Sequence, residues 1–236
     1  MAEDGTSHLA LDLRFGTISI REILRWLAIE KKNSCDTEPF FRQLIFREFY
    51  ASLLYHFPRL EKENFRYNFK GKPNKEYFER FCNGETGVPI IDAGIKELIS
   101  TGHMHNRVRM ICASFFTKNL LLPWQWGEEF FRSHLLDYDA ASNILSWQWS
   151  AGTGVDPQPY FRVFNPYTQG NKFDHNGDYI KRWLPELSSI PEKYLHDEEK
   201  IKEYRPNDYP TAIVEHSKTA KASIEAFKNS MRLFEN

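Results

Sequence analysis

The sequence predicts a single all-α domain, and three observations support this prediction. Apolar residues recur at helical spacing in several segments, and no segment alternates apolar and polar residues for long enough to predict a β-strand. The chain has 236 residues, of which 41% are hydrophobic and 27% charged, so it can bury one large core. We expect one domain over residues 1–236, with its core over 4–187 and a C-terminal extension over 188–236.

The first three helices are predicted from apolar periodicity and from their boundary residues. Segments 18–29 and 40–57 both have the apolar spacing of one helix face. The polar segment 31–39 between them ends in a proline, which suits the start of a helix. Pro89 opens the third helix and Gly102 ends it.

The rest of the chain is predicted to contain a central helix and a terminal helix. Segment 105–122 is apolar on nearly all sides after an arginine-rich first turn, which indicates a helix near the middle of the fold. Segment 198–208 is dense in charge, and we expect a surface excursion there. A last helix is predicted over 213–234.

Charge and cysteine content exclude several classes of protein. The formal net charge is −1, so a nucleic-acid site would have to be a local basic patch. Cys35, Cys82 and Cys112 form neither a metal-ligand spacing nor an even disulfide set, and no apolar run is long enough to cross a bilayer. These features predict a soluble, intracellular, cytoplasmic protein with reduced thiols and no metal site.

Several motifs follow one another along the chain in a recognisable order. They are the segments 6–9, 14–16, 46–50, 84–92, 104–110, 137–139 with Asn143, 147–149, and 161–166 followed by 172–174. Together they resemble the FAD-binding catalytic domain of the DNA photolyase/cryptochrome family, over nearly the whole chain. The resemblance implies a helical fold, noncovalent FAD that is active as FADH⁻, and carbon–carbon lyase activity on pyrimidine dimers in UV-damaged DNA.

The central helix carries the first candidate site. Asn106, Arg109 and Met110 are spaced by three and four residues, which places them on one helix face. The pattern alone is more typical of a surface arginine beside a core methionine. The resemblance implies that this face lies beside the flavin, with Arg109 paired to Asp137. A buried pair of this kind is costly unless it is fully hydrogen-bonded.

Polar residues near position 140 form a second candidate site. Asp137, Asp139 and Asn143 could serve only to cap a helix. The resemblance implies that the two acids reach the pyrimidine edge of the flavin, and that Asn143 faces the flavin nitrogen that is protonated on reduction. A neutral amide favours the anionic reduced flavin, whereas a carboxylate would oppose it. Plant cryptochromes carry Asp at this position, so Asn143 favours repair chemistry.

Tryptophans are predicted to carry electrons and to bind the lesion. Trp147 and Trp149 point about 200° apart on a helix, so they cannot share one pocket wall, and both could simply be core residues. The resemblance implies that Trp147 is the first step of an electron-hopping chain, Trp124 the second, and Trp149 a wall of the lesion cavity. The family's third tryptophan has no counterpart here, which leaves Tyr67 or Trp126 as substitutes.

The cofactor phosphates are expected near the start of the chain. Thr6, Ser7, His8 and Leu9 offer hydroxyl and backbone N–H groups ahead of a helix. A Thr–Ser pair in a loop also occurs without any ligand. The resemblance assigns this segment to the FAD pyrophosphate and adds Arg47 on the FAD side.

The kind of lesion is predicted from four positions. Family members that act on (6-4) photoproducts carry histidines where this chain has Asn106 and Met110, because that reaction needs proton transfer. The resemblance therefore implies a cyclobutane pyrimidine dimer. Gln43 and Phe46 stand where better-matched relatives carry an acid and a tryptophan against the lesion.

The DNA-facing rim is predicted to be basic. The resemblance assigns Arg107, Arg162 and Lys172 to the DNA backbone and Trp149 to stacking on the flipped lesion. Taken alone, each of these cations would more often be a solvated surface charge.

The start of the chain and the residues at Gln43 and Phe46 leave two questions, one about an antenna domain and one about the class of function. Photolyases normally begin with an α/β antenna domain, so we expect either an excised domain or a separate N-terminal antenna polypeptide as a partner. Two other classes of function stay open, namely a cryptochrome-like blue-light photoreceptor and a truncated, flavin-free remnant.

Overall fold

The computed structural model describes residues 5–232, and within them it contains helices joined by loops and no β-strand. The all-α prediction is confirmed. The α-helices in this range are α1 (Ala10–Phe15), α2 (Ile20–Lys32), α3 (Glu38–His56), α4 (Lys75–Cys82), α5 (Pro89–Thr101), α6 (Asn106–Ser114), α7 (Trp124–His134), α8 (Ala140–Ala151), α9 (Pro166–Phe173), α10 (Asp178–Trp183), α11 (Glu192–Leu195), α12 (Glu198–Tyr204) and α13 (His216–Arg232).

Helices α2 and α3 lie where apolar periodicity predicted them, and they form a small core of their own. Ile23 and Leu27 of α2 are buried together with Leu44 of α3, apart from the main core. The rest of α3 is less buried than an amphipathic helix would be, because its apolar residues are spread around all sides. Ile45 and Phe46, for example, are each about half exposed.

The main core is built around α5, α6, α7 and α8. Helices α5 and α6 approach closely at Gly94, where an added Cβ would lie 2.5 Å from Cγ1 of Val108. Ile91 and Ile95 of α5 are fully buried on this side. Only glycine allows this separation, so α6 and its candidate site residues are held firmly against α5.

The predicted central helix ends in a π-helical turn at Asn119, which corrects the end expected at residue 122. Helix α6 ends at Ser114, and Phe115–Asn119 form a π-helical turn. The backbone N–H of Leu120 donates to the carbonyl of Phe115 at 3.0 Å, and Leu121 has φ +55°, which ends the helix. Periodicity did not reveal this helix end because every residue of the turn is buried.

The C-terminal part of the chain packs more deeply than its composition indicated. The segment expected to be a surface excursion, 198–208, contains helix α12, which buries Ile201, while its other residues are exposed or half-exposed. The dense charge lies on its solvent side, and the Asp197 side chain caps its first turn. The core was expected to end at residue 187, yet Ile190, Leu195 and Tyr209 also belong to the main core.

A buried carboxylate joins α5 to this C-terminal part. Asp92 accepts hydrogen bonds from Thr86 N at 2.8 Å, Thr86 Oγ1 at 2.6 Å, Gly87 N at 2.9 Å and Tyr209 Oη at 2.7 Å. Burial nevertheless raises the pKa of Asp92 to about 6. Gly87 has φ +75°, and an added Cβ would lie 2.3 Å from the Thr211 backbone. The motif over 84–92 is therefore structural.

A search of the described residues for a helix that is both long and apolar enough to span a bilayer finds none.

Candidate functional site

The loop 135–139 between α7 and α8 is the point at which several helices meet. Arg14 of α1 donates through Nε to the carbonyl of Tyr138. Arg47 of α3 places Nη2 3.6 Å from Oδ2 of Asp139. Helices α1 and α3 are thus both anchored to a loop that the sequence linked to the flavin.

Helix α6 reaches the same loop through an ion pair. Nη2 of Arg109 lies 2.8 Å from Oδ2 and 3.1 Å from Oδ1 of Asp137. Nε of Arg109 also donates to the carbonyl of Met104 at 2.7 Å. The Asp137 side chain is 9% exposed and that of Arg109 is 24% exposed. The predicted pairing is therefore present, in a largely dehydrated setting where a charged pair is expensive to maintain.

Asp139, the second acidic residue of the loop, also stabilises the start of α8. Oδ1 of Asp139 accepts a hydrogen bond from Ser142 N at 2.9 Å and caps α8. The sequence left open whether Asp137 caps a helix. In the structure Asp139 is the residue that caps α8. Arg47 also donates from Nη2 to the carbonyl of Leu13 at 3.2 Å, so its guanidinium bridges α1 and the α8 cap.

Asn143 is held by a glutamate that the sequence analysis did not identify. Its Nδ2 donates to Oε1 of Glu128 at 3.0 Å and to the Glu128 carbonyl at 3.3 Å. Tyr138 donates its hydroxyl to the same Oε1 at 2.9 Å, and burial followed by the Glu128 charge raises the pKa of Tyr138. Because Nδ2 is directed at Glu128, the Asn143 oxygen Oδ1 is the atom left to accept a hydrogen bond from a ligand.

The sequence did contain a signal for Glu128. It falls on the same face of α7 as Trp124, Gly127 and Phe131, all of which are buried. A single carboxylate within an apolar helix face requires a polar partner. The partner could not be read from the sequence, because Asn143 lies on another helix.

The predicted common face of α6 is also observed. Nδ2 of Asn106 lies 4.0 Å from Sδ of Met110, one turn further along the helix. Asn106 is exposed and Met110 is half-buried, so this face is open to a ligand next to the Arg109–Asp137 pair.

Trp147 and Trp149 have different surroundings, as their separation by one residue predicted. Trp147 is 2% exposed, and its ring packs edge-to-face against Phe116 at 5.4 Å and Phe131 at 5.0 Å. A Cβ added at Gly127 would lie 2.2 Å from its Cη2 atom, so the ring lies directly on the α7 backbone. Trp149 is only half-buried, at the C-terminal end of α8.

The other proposed electron carriers lie in two different places. Trp124 is buried, and its Nε1 donates to Oδ1 of Asn64 at 2.8 Å. Asn64 in turn donates to the carbonyl of Tyr67 at 2.9 Å, and the Tyr67 side chain is 40% exposed. Trp126 instead packs edge-to-face on Phe78 at 5.2 Å.

The proposed phosphate segment precedes α1 as expected. Thr6, Ser7 and His8 are exposed, and Leu9 immediately precedes α1. The ring of His8 lies 6.1 Å from that of His103, just ahead of α6. The segment is therefore close to the helix that carries the candidate flavin face.

Both proposed lesion residues on α3 are exposed. Gln43 and Phe46 point to solvent, and the Phe46 ring lies 6.4 Å from the ring of Tyr50. Burial and then the nearby charge of Asp156 raise the pKa of Tyr50. This part of α3 therefore lies beside the loop that follows Trp149 at the end of α8.

Two of the three proposed DNA-contacting cations lie over the ring of Phe173. Arg107 places Cζ 4.5 Å from the Phe173 ring centroid, and Lys172 places Nζ 5.3 Å from the same centroid. Arg162 is exposed in the loop after α8, beside the exposed Phe161 ring. The first two cations form a local basic pair on a chain of nearly neutral net charge.

Known proteins similar to this chain are photolyases and a cryptochrome. The chain is 43% identical over 236 residues to a deoxyribodipyrimidine photo-lyase of Salmonella typhimurium, covering 96% of this chain and 50% of that protein. A bacterial class III photolyase from Agrobacterium tumefaciens superposes with a TM-score of 0.90 at 38% identity, covering 98% of this chain and 51% of that one. A Synechocystis cryptochrome superposes with a TM-score of 0.87 at 32% identity, covering 94% and 49%.

The chain spans about half the length of these relatives. Residues 40–229 match the family described as the FAD binding domain of DNA photolyase, so the match includes α3 to α9 and most of the C-terminal helices. On this evidence the chain belongs to the DNA photolyase family and corresponds to the helical FAD-binding domain of its members.

Proposed function

We propose that this chain binds one FAD and uses light to split cyclobutane pyrimidine dimers in UV-damaged DNA. The observation that carries the proposal is the convergence around loop 135–139, where Arg109 of α6 pairs with Asp137 and Glu128 of α7 joins Tyr138 to Asn143 of α8. Trp147 lies one turn beyond Asn143 on the same helix. The photo-lyase names of its relatives support the lesion class.

The polar groups in this region fit the parts of FAD. Asn143 offers the acceptor Oδ1, and the Arg109–Asp137 pair can bond the polar edge of a flavin ring. The exposed hydroxyls of Thr6 and Ser7 can bond phosphate. When bound and reduced, FAD supplies a light-excited one-electron donor, and the electron returns after both cyclobutane bonds have broken.

Glu128 determines how Asn143 acts. Both hydrogen bonds from Nδ2 end on Glu128, so the amide cannot rotate freely, and Oδ1 is presented in one direction. A neutral amide at this position adds no negative charge beside the flavin, which favours the anionic reduced state. An aspartate in place of Asn143 would bring a second carboxyl group to Glu128, and the two could not both ionise at low cost.

The lesion would be bound by the groups around the end of α8. Flipping a dimer out of the duplex costs a few kcal/mol, and damage lowers this cost because it weakens stacking. Trp149 and Phe46 offer stacking surfaces, while Arg107, Lys172 and Arg162 offer charge for the DNA backbone.

A cyclobutane dimer is preferred over a (6-4) photoproduct because the exposed face of α6 lacks a proton donor of the histidine type. Asn106 and Met110 occupy that face. Dimer splitting requires an electron and no general acid, so these residues suffice. Asn143 likewise favours repair over the signalling role of a plant-type cryptochrome.

Purified protein is expected to bind FAD with a measurable gain in thermal stability. A ligand that binds only the folded state adds about 2.7 kcal/mol to the free energy of unfolding at a concentration 100 times its Kd. The measurement is a melting curve against FAD concentration, followed by illumination of reduced protein with a dimer-containing oligonucleotide. An unchanged melting temperature in excess FAD would contradict FAD binding, and binding without dimer loss would favour a photoreceptor.

The double variant Gln43→Glu with Phe46→Trp is expected to tighten the binding of dimer DNA. It introduces a charge-assisted acceptor and a larger stacking surface at two exposed positions of α3. Stacking a base on an aromatic ring contributes about 1–3 kcal/mol, so the larger ring should add a fraction of that.

The measurement compares damaged and undamaged duplexes at fixed salt. Phe41→Trp is a matched control, since Phe41 is a similarly exposed aromatic residue on a different side of α3. An unchanged ratio of the two affinities in the double variant would show that Gln43 and Phe46 do not face the lesion.

A further inference from the structure

A buried lysine lies beneath the loop that follows α8. Lys118 belongs to the π-helical turn Phe115–Asn119, and only 3% of it is exposed. Its Nζ donates to the Arg162 carbonyl at 3.0 Å, to Oε1 of Gln158 at 3.3 Å and to the Pro159 carbonyl at 3.4 Å. All three acceptors belong to residues 158–162.

The three oxygen acceptors match the three N–H donors of the charged form of this side chain. An ammonium group has three N–H donors, whereas a neutral amine has two. Burial, and next the nearby charge of Arg162, lower the pKa of Lys118 to about 7. Burying a cation against neutral oxygens costs folding free energy that an apolar side chain would not cost. The burial of Lys118 is therefore explained better by its hydrogen bonds to residues 158–162 than by its packing.

The loop held by Lys118 joins two of the proposed DNA contacts. The backbone N–H of Gln158 donates to the carbonyl of Trp149 at 3.1 Å. At the other end of the loop, Arg162 and Phe161 are both exposed. The position of the lysine thus affects the stacking residue and the phosphate-binding residue together.

The π-helical turn that contains Lys118 also contacts helix α13. The next residue, Asn119, donates to Nδ1 of His216 at 2.9 Å and to Oγ1 of Thr219 at 2.8 Å on α13. Phe227 of the same helix stacks on Tyr160 at 5.0 Å. Loop 158–162 is therefore held by hydrogen bonds from Lys118 and by the contact of Tyr160 with α13.

We propose that Lys118 is a positioning residue for DNA binding, and that its ammonium holds residues 158–162 so that Arg162 meets the DNA backbone while Trp149 faces the flipped lesion. This inference rests on the proposed function for its DNA part. Its structural part, the ordering of the loop, stands independently.

The test uses Lys118→Met and Lys118→Arg in the whole chain with bound FAD. Lys118→Met should weaken binding of dimer DNA by roughly tenfold and lower the salt dependence by up to about 0.9 in log–log slope, the value for one lost phosphate contact. Lys118→Arg should restore most of the affinity, because a guanidinium keeps the charge and several donors. Lys181→Met, which alters a half-buried lysine paired with Glu192, should leave both quantities unchanged.

Hydrogen–deuterium exchange of residues 155–163, without DNA or FAD, separates the two parts of the inference. Faster exchange there in Lys118→Met, with unchanged exchange in α5, supports the positioning role even if the wild-type chain shows no preference for dimer DNA. A wild-type chain without a preference for dimer DNA would overturn only the proposed function. Two results would overturn the role of Lys118. One is unchanged exchange in Lys118→Met. The other is unchanged affinity and salt slope in Lys118→Met when the wild-type chain does prefer dimer DNA. If Lys118→Met does not fold, Gln158→Ala removes one acceptor and should weaken binding roughly threefold.

Discussion

Trp147→Phe is expected to abolish light-driven reduction of oxidised FAD. The Trp147 ring is buried between Phe116 and Phe131 and lies on the backbone of Gly127, one turn beyond Asn143. Phenylalanine is too hard to oxidise to pass an electron onward, so the first step of the chain would be lost. The measurement is the absorption of oxidised flavin during illumination with an external reductant.

Repair by chemically reduced Trp147→Phe protein should be retained, because reloading the flavin and splitting the dimer are separate steps. Trp183→Phe is a matched control, since Trp183 also packs against the main core but belongs to α10. Equal photoreduction in wild type and in Trp147→Phe would remove Trp147 from the chain. Tyr67→Phe and Trp126→Phe then test which of the two candidates is the last step.

Asp137→Ala is expected to produce the largest loss of stability among the site variants. Removing one partner of a buried ion pair typically costs about 3–5 kcal/mol, and the partial exposure of Arg109 places this pair at or below the lower end. The same change should reduce FAD affinity, because Arg109 would lose the carboxylate that fixes its direction. Chemical denaturation and FAD titration measure the two effects.

A double-mutant cycle with Arg109→Ala separates the pair from its surroundings. The double variant should be less destabilised than the sum of the two single variants, because no buried charge is then left alone. Glu129→Ala is the matched control, since Glu129 and Arg132 form an exposed pair that should contribute less than about 1 kcal/mol. Equal effects of Asp137→Ala and Glu129→Ala would show that the site pair has no special role.

Local sequence signals predicted the features that depend on neighbours along the chain. The apolar spacing and boundary residues of α2, α3 and α5 predicted those helices, because periodicity and capping act within a few residues. The common face of Asn106 and Met110 followed from helix geometry alone. The Arg109–Asp137 pair was predicted only through the family resemblance, since 28 residues separate its members.

Features that depend on distant partners were decided by the tertiary structure. Glu128 orients Asn143 across two helices, and Asp139, not Asp137, caps α8. Lys118 finds its acceptors 40 to 44 residues later in the chain. The apolar face of α7 does mark Glu128 as unusual, but the local sequence identifies neither its partner nor those of Asp139 and Lys118, because partners are set by how the helices pack. The sequence by itself thus determined the all-α class, several of the helices and the family, whereas packing decided which polar groups are buried, paired and directed at the site.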